Sequence, residues 1–467
     1  MLQPVDKIET NSREMSCPPE APCFCSKGTR LQGLCVKTKA DCDRPDADPR
    51  VVPLPPTEDR SGARYGYVEQ FLGRSCYLDA AAVRANTDYD ASFDDGEPVP
   101  ESFSFMTYNI WGLAKSAEHQ HLFGLRKDLL VRTILEANAD LCFMQEMSVF
   151  AYEQLAEPLI HRVEPATGQP VYAFASEAPY PAPGSRPVEE RKRAVEVYCI
   201  SKYRPSRIRV IGIEGVLGYK NSFMIVEYPN LVVFNLYSQA GSRSSPGQTH
   251  KWLHYSRCRS DILETIHDIM VTEYRDKNMI LCGDFNFHID GGRSDWPELA
   301  MMRRILRLGF VDTFRHRNPY DPGFTEDTDL NYMRWNQKLI EKKFRFDAVF
   351  AKGPWFIRDS RMIGTESQLL DETESAWFLK HISEFVPGGP KKLAGIRGGL
   401  VPINPSDHFG VLTKFGPASP SASPSSLDSP LASNRFSHIE SPRLRKKRTT
   451  RKISTRYRRR RTRISSR

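Results

Sequence analysis

Several apolar stretches of this chain end on side chains suited to holding a metal ion or a phosphate. Asn109 closes the strand-like run in "MTYNIWG" and Glu146 that in "CFMQEM". Asp284 and Asn286 end "LCGDFN", and Asp407 and His408 stand together in "PSDHFG". Asp347 lies inside "RFDAVF", where an uncompensated charge would be costly; it needs a partner, and a histidine is a good one. Singly, each has a plainer reading. Asn109 would cap a turn, Glu146 would start a helix, "GDFN" would be only a turn, and His408 a surface histidine. Their joint occurrence at strand ends, where loops commonly carry active sites, is what points to chemistry.

The elements that must position these residues follow from periodicity. "SFSFMTYNIW" alternates as a strand, "LRKDLLVRTILEANA" has helical spacing and ends at Asn138, and "DLCFMQEM" is again a strand. "RAVEVYCISKY", "RIRVIGIEG" and "FMIVEY" read as successive strands, and "NLVVFNLYSQAGS" as a buried strand entering a loop. "RSDILETIHDIM" is an amphipathic helix, "KNMILCGDFN" a strand, and "WPELAMMRRILRLG" a helix stopped by Gly309. "KFRFDAVFA" is a strand, and "PSDHFGVLTKF" a loop feeding a last strand. Consecutive strands over 194–236 call for mixed sheets. Two sheets packed face to face, with helices outside, fit this order better than one doubly wound parallel sheet.

Three regions are expected: a Cys- and Pro-rich extension at 1–100, a catalytic domain at 101–416, and a tail at 417–467. In the extension, "RYGYVEQFLG" reads as a short docking helix. The tail opens with a Ser- and Pro-rich stretch that cannot bury enough apolar surface to order itself. Residues 443–467 then carry 14 Lys and Arg and no acid, so the chain's net +9 leaves 9 − 14 = −5 for the rest. Such a block suits nucleic acid, an anionic surface or a nuclear import receptor, or acts only as a solubility tail. Ser-Pro steps at Ser419, Ser423, Ser429 and Ser441 would take phosphate and weaken that attraction. No apolar run approaches the roughly 20 residues of a membrane span, and the polar opening does not resemble a signal peptide. An intracellular protein, nuclear or cytoplasmic, is expected. Cys142, Cys199, Cys258 and Cys282 fall in apolar patterns as ordinary core thiols. Cys17, Cys23, Cys25, Cys35, Cys42 and Cys76 are open to zinc or disulfides; "CFC" is not knuckle spacing, and an intracellular setting disfavours disulfides.

The ordered series "YNIWG", "FMQEM", "ISKY", "GDFN", "FRFDAVF" and "SDHFGV" resembles the endonuclease/exonuclease/phosphatase superfamily, the DNase-I-like fold, over roughly 101–416. The resemblance implies an α/β four-layered sandwich, two packed mixed β-sheets flanked by helices, and metal-dependent cleavage of a phosphate ester. It makes Glu146 the main ligand of Mg²⁺, with Mn²⁺ as an alternative, assisted by Asn109 and Asp407. Asp284 would orient the attacking water and Asn286 would donate to a phosphate oxygen. His408 would be general base or, as imidazolium, would stabilise the phosphoryl oxygens, with Asp347 fixing its tautomer. Where many members place a His or Tyr against the phosphate, this chain has "NLYSQAG", so Tyr237 and the nearby Gln239 are the candidates. A tyrosine is a poor general acid at neutral pH, which leaves protonation of the leaving group open.

Within the superfamily, "VVFNLYSQAG", "GDFNFHIDGGRSDWPELAMMRRILRLGFVDTF" and the stretch from "DPGFTEDTDLNYM" to "RFDAVF" are most similar to neutral sphingomyelinases, although "FDA" stands for that branch's "IDY" and Tyr237 for its usual His. The substrate class implied is a phospholipid headgroup, reached by peripheral membrane contact. "AWFLKHISEFVPGG", in a long insertion at 351–403, would supply an apolar contact or be an ordinary packed helix and loop. The alternative is a nuclease helped by the basic tail, although an acidic body suits a duplex poorly. A scaffold without catalysis is a third reading, against which the intact set of polar residues argues.

Overall fold

Side-chain alternation along the strands sorts this molecule into layers. The computed structural model describes residues 76–112, 116–176, 196–215, 220–241, 249–291, 296–333, 342–385 and 399–417, together with two short antiparallel strands, β1 (Cys23–Phe24) and β2 (Cys35–Val36). The helices used below are α1 (Ala80–Ala85), α2 (Ala117–Ala137), α3 (Val149–Leu155), α4 (Thr249–Glu273), α5 (Pro297–Leu306), α6 (Thr313–Arg317) and α7 (Glu372–Phe385). The strands are β3 (Thr87–Ser92), β4 (Ser104–Asn109), β5 (Leu141–Gln145), β6 (Phe174–Ala175), β7 (Val197–Ser201), β8 (Arg207–Glu214), β9 (Lys220–Tyr228), β10 (Leu231–Tyr237), β11 (Met279–Asp284), β12 (Val311–Asp312), β13 (Glu326–Asp327), β14 (Lys343–Phe344), β15 (Asp347–Lys352), β16 (Trp355–Ile363), β17 (Gln368–Leu369), β18 (Pro402–Ile403) and β19 (Gly410–Pro417).

One sheet has seven strands in the order β12-β15-β11-β10-β9-β8-β3; the other has six, β16-β19-β4-β5-β7-β6. Both are mixed, because β4 runs parallel to β5 and β10 parallel to β11 while their other neighbours are antiparallel. Every second side chain of the inner strands fills the gap between the sheets, among them Phe105, Phe143, Val233, Ile280 and Val349. The alternates of the larger sheet, such as Phe234, Leu281 and Phe350, pack on Ile262 and Ile266 of α4 and Ile305 of α5. The alternates of the smaller sheet, such as Met106, Tyr108 and Met144, pack on Leu130 and Ile134 of α2 and Ala151 of α3. This is the four-layered α/β sandwich, helix–sheet–sheet–helix.

The intersheet layer turns polar toward one end. Gln145 Nε2 donates to Thr107 Oγ1 at 3.0 Å and to Asn235 Oδ1 at 2.7 Å, joining the two sheets through fully buried side chains. Thr107 and Asn235 lie two residues before Asn109 and Tyr237, and so on the same strand faces. Beyond this layer the parallel strands of both sheets end together.

Two expectations change. The boundary placed near residue 100 falls inside the folded unit: β3 pairs with β8, and α1 contributes Val83 to the core. Leu78 N donates to Thr265 Oγ1, Cys76 N to Asp261 Oδ2 and Tyr77 OH to Asp268 Oδ2, so this segment runs along one stripe of α4. Cys258 is not a core thiol, because it forms a disulfide with Cys76; Cys142, Cys199 and Cys282 are buried and free, as expected. In the stretch 351–403 the packed-helix reading holds, since α7 buries Phe378, and the stretch also supplies β16, which pairs with β19 in the six-stranded sheet. The proposed helix at 64–73, the state of Cys17, Cys23, Cys25, Cys35 and Cys42, and the tail from 418 onward lie outside the described residues.

Candidate active site

Where the parallel strands end, the inward-facing positions carry the polar residues. Asp284 continues the face of Ile280 and Cys282, and Asp347 begins the face of Val349 and Ala351; the two are register partners across β11 and β15. Asn109 ends β4, Glu146 follows β5, and Tyr237 ends β10. His408 and Asp407 precede β19. Residues between 109 and 408 in the chain thus meet at one end of the sandwich.

Asn109 is their centre. Its Nδ2 donates to Glu146 Oε1 and to Asp284 Oδ2, both at 3.0 Å, and its Oδ1 accepts from Trp111 N at 2.9 Å. Tyr237 OH donates to the same Glu146 Oε1 at 2.9 Å. Asn286 N donates to Asp284 Oδ1 at 2.8 Å, and its Nδ2 donates to Ser238 O at 2.9 Å and Asp284 Oδ2 at 3.3 Å. The amide beside the acid therefore fixes that acid. His408 Nδ1 lies 2.8 Å from Asp347 Oδ2. Thr325 Oγ1 accepts from the backbone of Phe346 and Asp347, and its carbonyl accepts from Phe409 N at 2.8 Å, so one residue steadies both halves of the pair. Ser406 Oγ donates to Asn109 O at 2.7 Å and accepts from His408 N at 3.3 Å.

Backbone geometry marks the same place. Among the described residues four non-glycines have positive φ: Trp111 (49°), Asn138 (45°), Glu146 (58°) and Asn286 (55°). Asn138 caps α2; the other three flank the cluster. Strain of this kind persists only where surroundings over-determine it. Gly283 has φ 128°, and a Cβ there would stand 2.0 Å from Leu236 O, which explains why glycine precedes the acid.

Electrostatics set the carboxylates against one another. Burial and then the charge of Asp407 raise the Glu146 carboxyl above its usual range. Burial and then Asp347 raise that of Asp284. Burial alone would lower His408, but the carboxylates of Asp347, Asp284 and Asp407 outweigh it and hold the imidazole up at about 10. Burial and then Glu146 push the Tyr237 phenol well above its ordinary value.

A crowd of buried acids is what a divalent cation would relieve, and Asp347 Oδ1 is buried without a hydrogen-bond partner among the described residues. Ligand atoms of Asp284, Asp347 and His408 lie within 4.8 Å of one another. His408 and Asp347 are already bonded to each other, however, and a hard cation prefers oxygen. Glu146, which feels the charge of Asp407, and Asp407 itself would offer oxygen donors, with Asn109 bonded to both Glu146 and Asp284. Gln239 stands apart from the expected phosphate contacts: its Oε1 accepts from Asn221 at 3.2 Å and its Nε2 donates to Ala240 O at 2.8 Å. Its type carried no signal of that difference. Thr325 and Ser406 went unmarked in the sequence because small hydroxyls are common and their role depends on long-range contacts.

Several solved structures are similar to this chain over part of its length. TDP2 from C. elegans is 16% identical with a TM-score of 0.40, covering 68% of this chain and 75% of that one. D. rerio TDP2, complexed with single-strand DNA product, is 15% identical with a TM-score of 0.39, covering 68% and 100%. SmcL is 12% identical with a TM-score of 0.45, covering 68% and 99%. No curated relative matches. The sequence pattern of the Endonuclease/Exonuclease/phosphatase family matches residues 106–408, which runs from β4 to the histidine that pairs with Asp347. That span holds both halves of the sandwich end, and the chain belongs to the Endonuclease/Exonuclease/phosphatase family.

Proposed function

We propose that this protein is a Mg²⁺-dependent phosphodiesterase that hydrolyses a phospholipid headgroup ester by in-line attack of water. The observation that carries the reading is the His408–Asp347 pair facing Asp284 across one buried cluster with Glu146 and Asn109. A cation held by Glu146 and Asp407, with Asn109 beside them, would supply Lewis-acid stabilisation of charge on the phosphoryl and leaving oxygens. Asp284, its carboxyl raised and its orientation fixed by Asn286 and Asn109, accepts from the attacking water. His408 has Nδ1 toward Asp347, and the acids around it favour the imidazolium, whose other edge would donate to a phosphoryl oxygen or to the leaving group. This supplies the proton that Tyr237 cannot, since its phenol is directed at Glu146.

The lipid assignment rests on the sequence likeness to neutral sphingomyelinases. The 14 basic residues at 443–467 favour the second reading, a nuclease whose tail gives salt-sensitive attraction to a polyanion. One panel separates them: sphingomyelin vesicles, plasmid DNA and an abasic duplex, each with Mg²⁺ or with chelator, using wild type and His408→Ala. Chelator-sensitive turnover of sphingomyelin is expected, lowered at least ~10²-fold by His408→Ala. Faster cutting of either DNA would replace lipid with nucleic acid. Equal rates for wild type and variant would remove His408 from the mechanism.

A further inference from the structure

Arg126 is a fully buried arginine that spends its bonds on backbone carbonyls. Its Nη1 donates to Ile110 O at 2.9 Å and to Pro405 O at 2.5 Å, and its Nη2 donates to Trp111 O. Among the described residues no carboxylate is bonded to it. Its guanidinium carbon sits 4.7 Å from the Phe123 ring centre and 5.1 Å from that of Trp111. If the position needed only packing, an aliphatic side chain would serve without the cost of a buried charge.

The three carbonyls are not a random set. Ile110 and Trp111 directly follow Asn109, and Trp111 is one of the left-handed residues. Pro405 directly precedes Ser406, Asp407 and His408. One planar fork from α2 therefore holds the loop leaving β4 against the loop entering β19, at positions 279 residues apart for Arg126 and Pro405. The bond from Ser406 Oγ to Asn109 O closes the same junction from the other side. Rigid forks suit this task; an ammonium cannot match three carbonyls in one plane.

We propose that Arg126 is a positioning residue that fixes the separation between Asn109 and the Asp407–His408 pair. Its kinetic consequence rests on the phosphodiesterase reading, whereas its structural consequence does not. Burial lowers its proton affinity, and the charge of Asp407 counters only part of that.

The test compares full-length wild type with Arg126→Lys and Arg126→Ala. Amide hydrogen exchange at residues 110–112 and 406–409 should accelerate about tenfold in both variants while β8 and β9 stay protected. Turnover should fall about 10²-fold with KM changed little, as expected when reacting groups are displaced by an ångström. Guanidinium at low millimolar concentration should restore part of the turnover of Arg126→Ala and leave Arg126→Lys unchanged. Should the alanine variant not fold, the lysine variant carries the exchange and KM-against-kcat measurements alone. Exchange unchanged at both loops, or accelerated throughout the molecule by Arg126→Lys, would overturn the proposal. A wild type that cleaves no phosphodiester, with the two loops still loosened in the variants, would overturn the enzymatic reading and uphold the clamp.

Discussion

At the scale of single residues, Tyr237 shows how a hydrogen bond decides a role. Its type and place suggest a phosphate donor, but its one proton goes to Glu146 Oε1, alongside Asn109 Nδ2. Two donors on one oxygen orient the carboxylate and leave Oε2 as the face for a cation. Partners of this kind commonly govern metal affinity by 10–100-fold. Tyr237→Phe should therefore weaken Mg²⁺ or Mn²⁺ binding by about tenfold, read by calorimetric titration, with little change in melting temperature. Unchanged affinity would return the phenol to the substrate. The sequence made Asn109, Glu146, Asp284, Asp347 and His408 legible because each interrupts an apolar pattern. It left Arg126 and Thr325 illegible because an arginine on a helix reads as solvated and a threonine before a turn as a loop residue. Only contacts across hundreds of residues give them a purpose.

At the scale of elements, the loop after β11 is held by ion pairs. Arg345 is buried and bonds both oxygens of Asp290, through Nε at 2.6 Å and Nη2 at 2.7 Å, and it also bonds Asp312. Arg315 bonds Asp290 as well. Phe285 N and Ile289 N donate to the carbonyls of Phe346 and Arg345, so the strand ends bearing Asp284 and Asp347 are zipped together. Burial alone would raise the Asp290 carboxyl, but Arg345 and Arg315 outweigh it and hold it down at about 2. The unfolded value is near 3.9. A group depressed on folding stabilises the protein above its unfolded pKa and loses that contribution as pH falls through its folded one. The stability advantage of wild type over Arg345→Met should thus shrink between about pH 4 and pH 2, by on the order of 2 kcal/mol. A difference independent of pH, measured by denaturant titration, would show that Asp290 gains nothing from the pair. The strands were legible where an apolar run was continuous and bounded by polar residues, as in β10 and β11. The edge strand β3 was not, because "TDYDAS" alternates between half-buried and exposed residues with little apolar signal.

At the scale of the whole molecule, the disulfide changes how the chain is understood. The bond between Cys76 and Cys258 spans 182 residues. It pins the segment leading into α1 against α4, where hydrogen bonds to Asp261, Thr265 and Asp268 already hold it. Such bonds persist chiefly in oxidising compartments. Spacing could not reveal the pair, since Cys258 sits in a helical apolar pattern and Cys76 lies 182 residues away from it. A closed loop of this length is worth about 2–5 kcal/mol. Cys258→Ser should lower unfolding free energy by that amount, and reductant should lower wild type but not the variant; equal sensitivity would mean the bond does not form in solution.

The same bond partitions the candidate site residues. Asn109, Glu146 and Tyr237 ride on a covalent ring running from Cys76 to Cys258, whereas Asp284, Asn286, Asp347, Asp407 and His408 hang from the open strand beyond it. A single cut in the ring leaves both fragments tethered, whereas one between residues 259 and 407 severs His408 from the ring's acids except through packing.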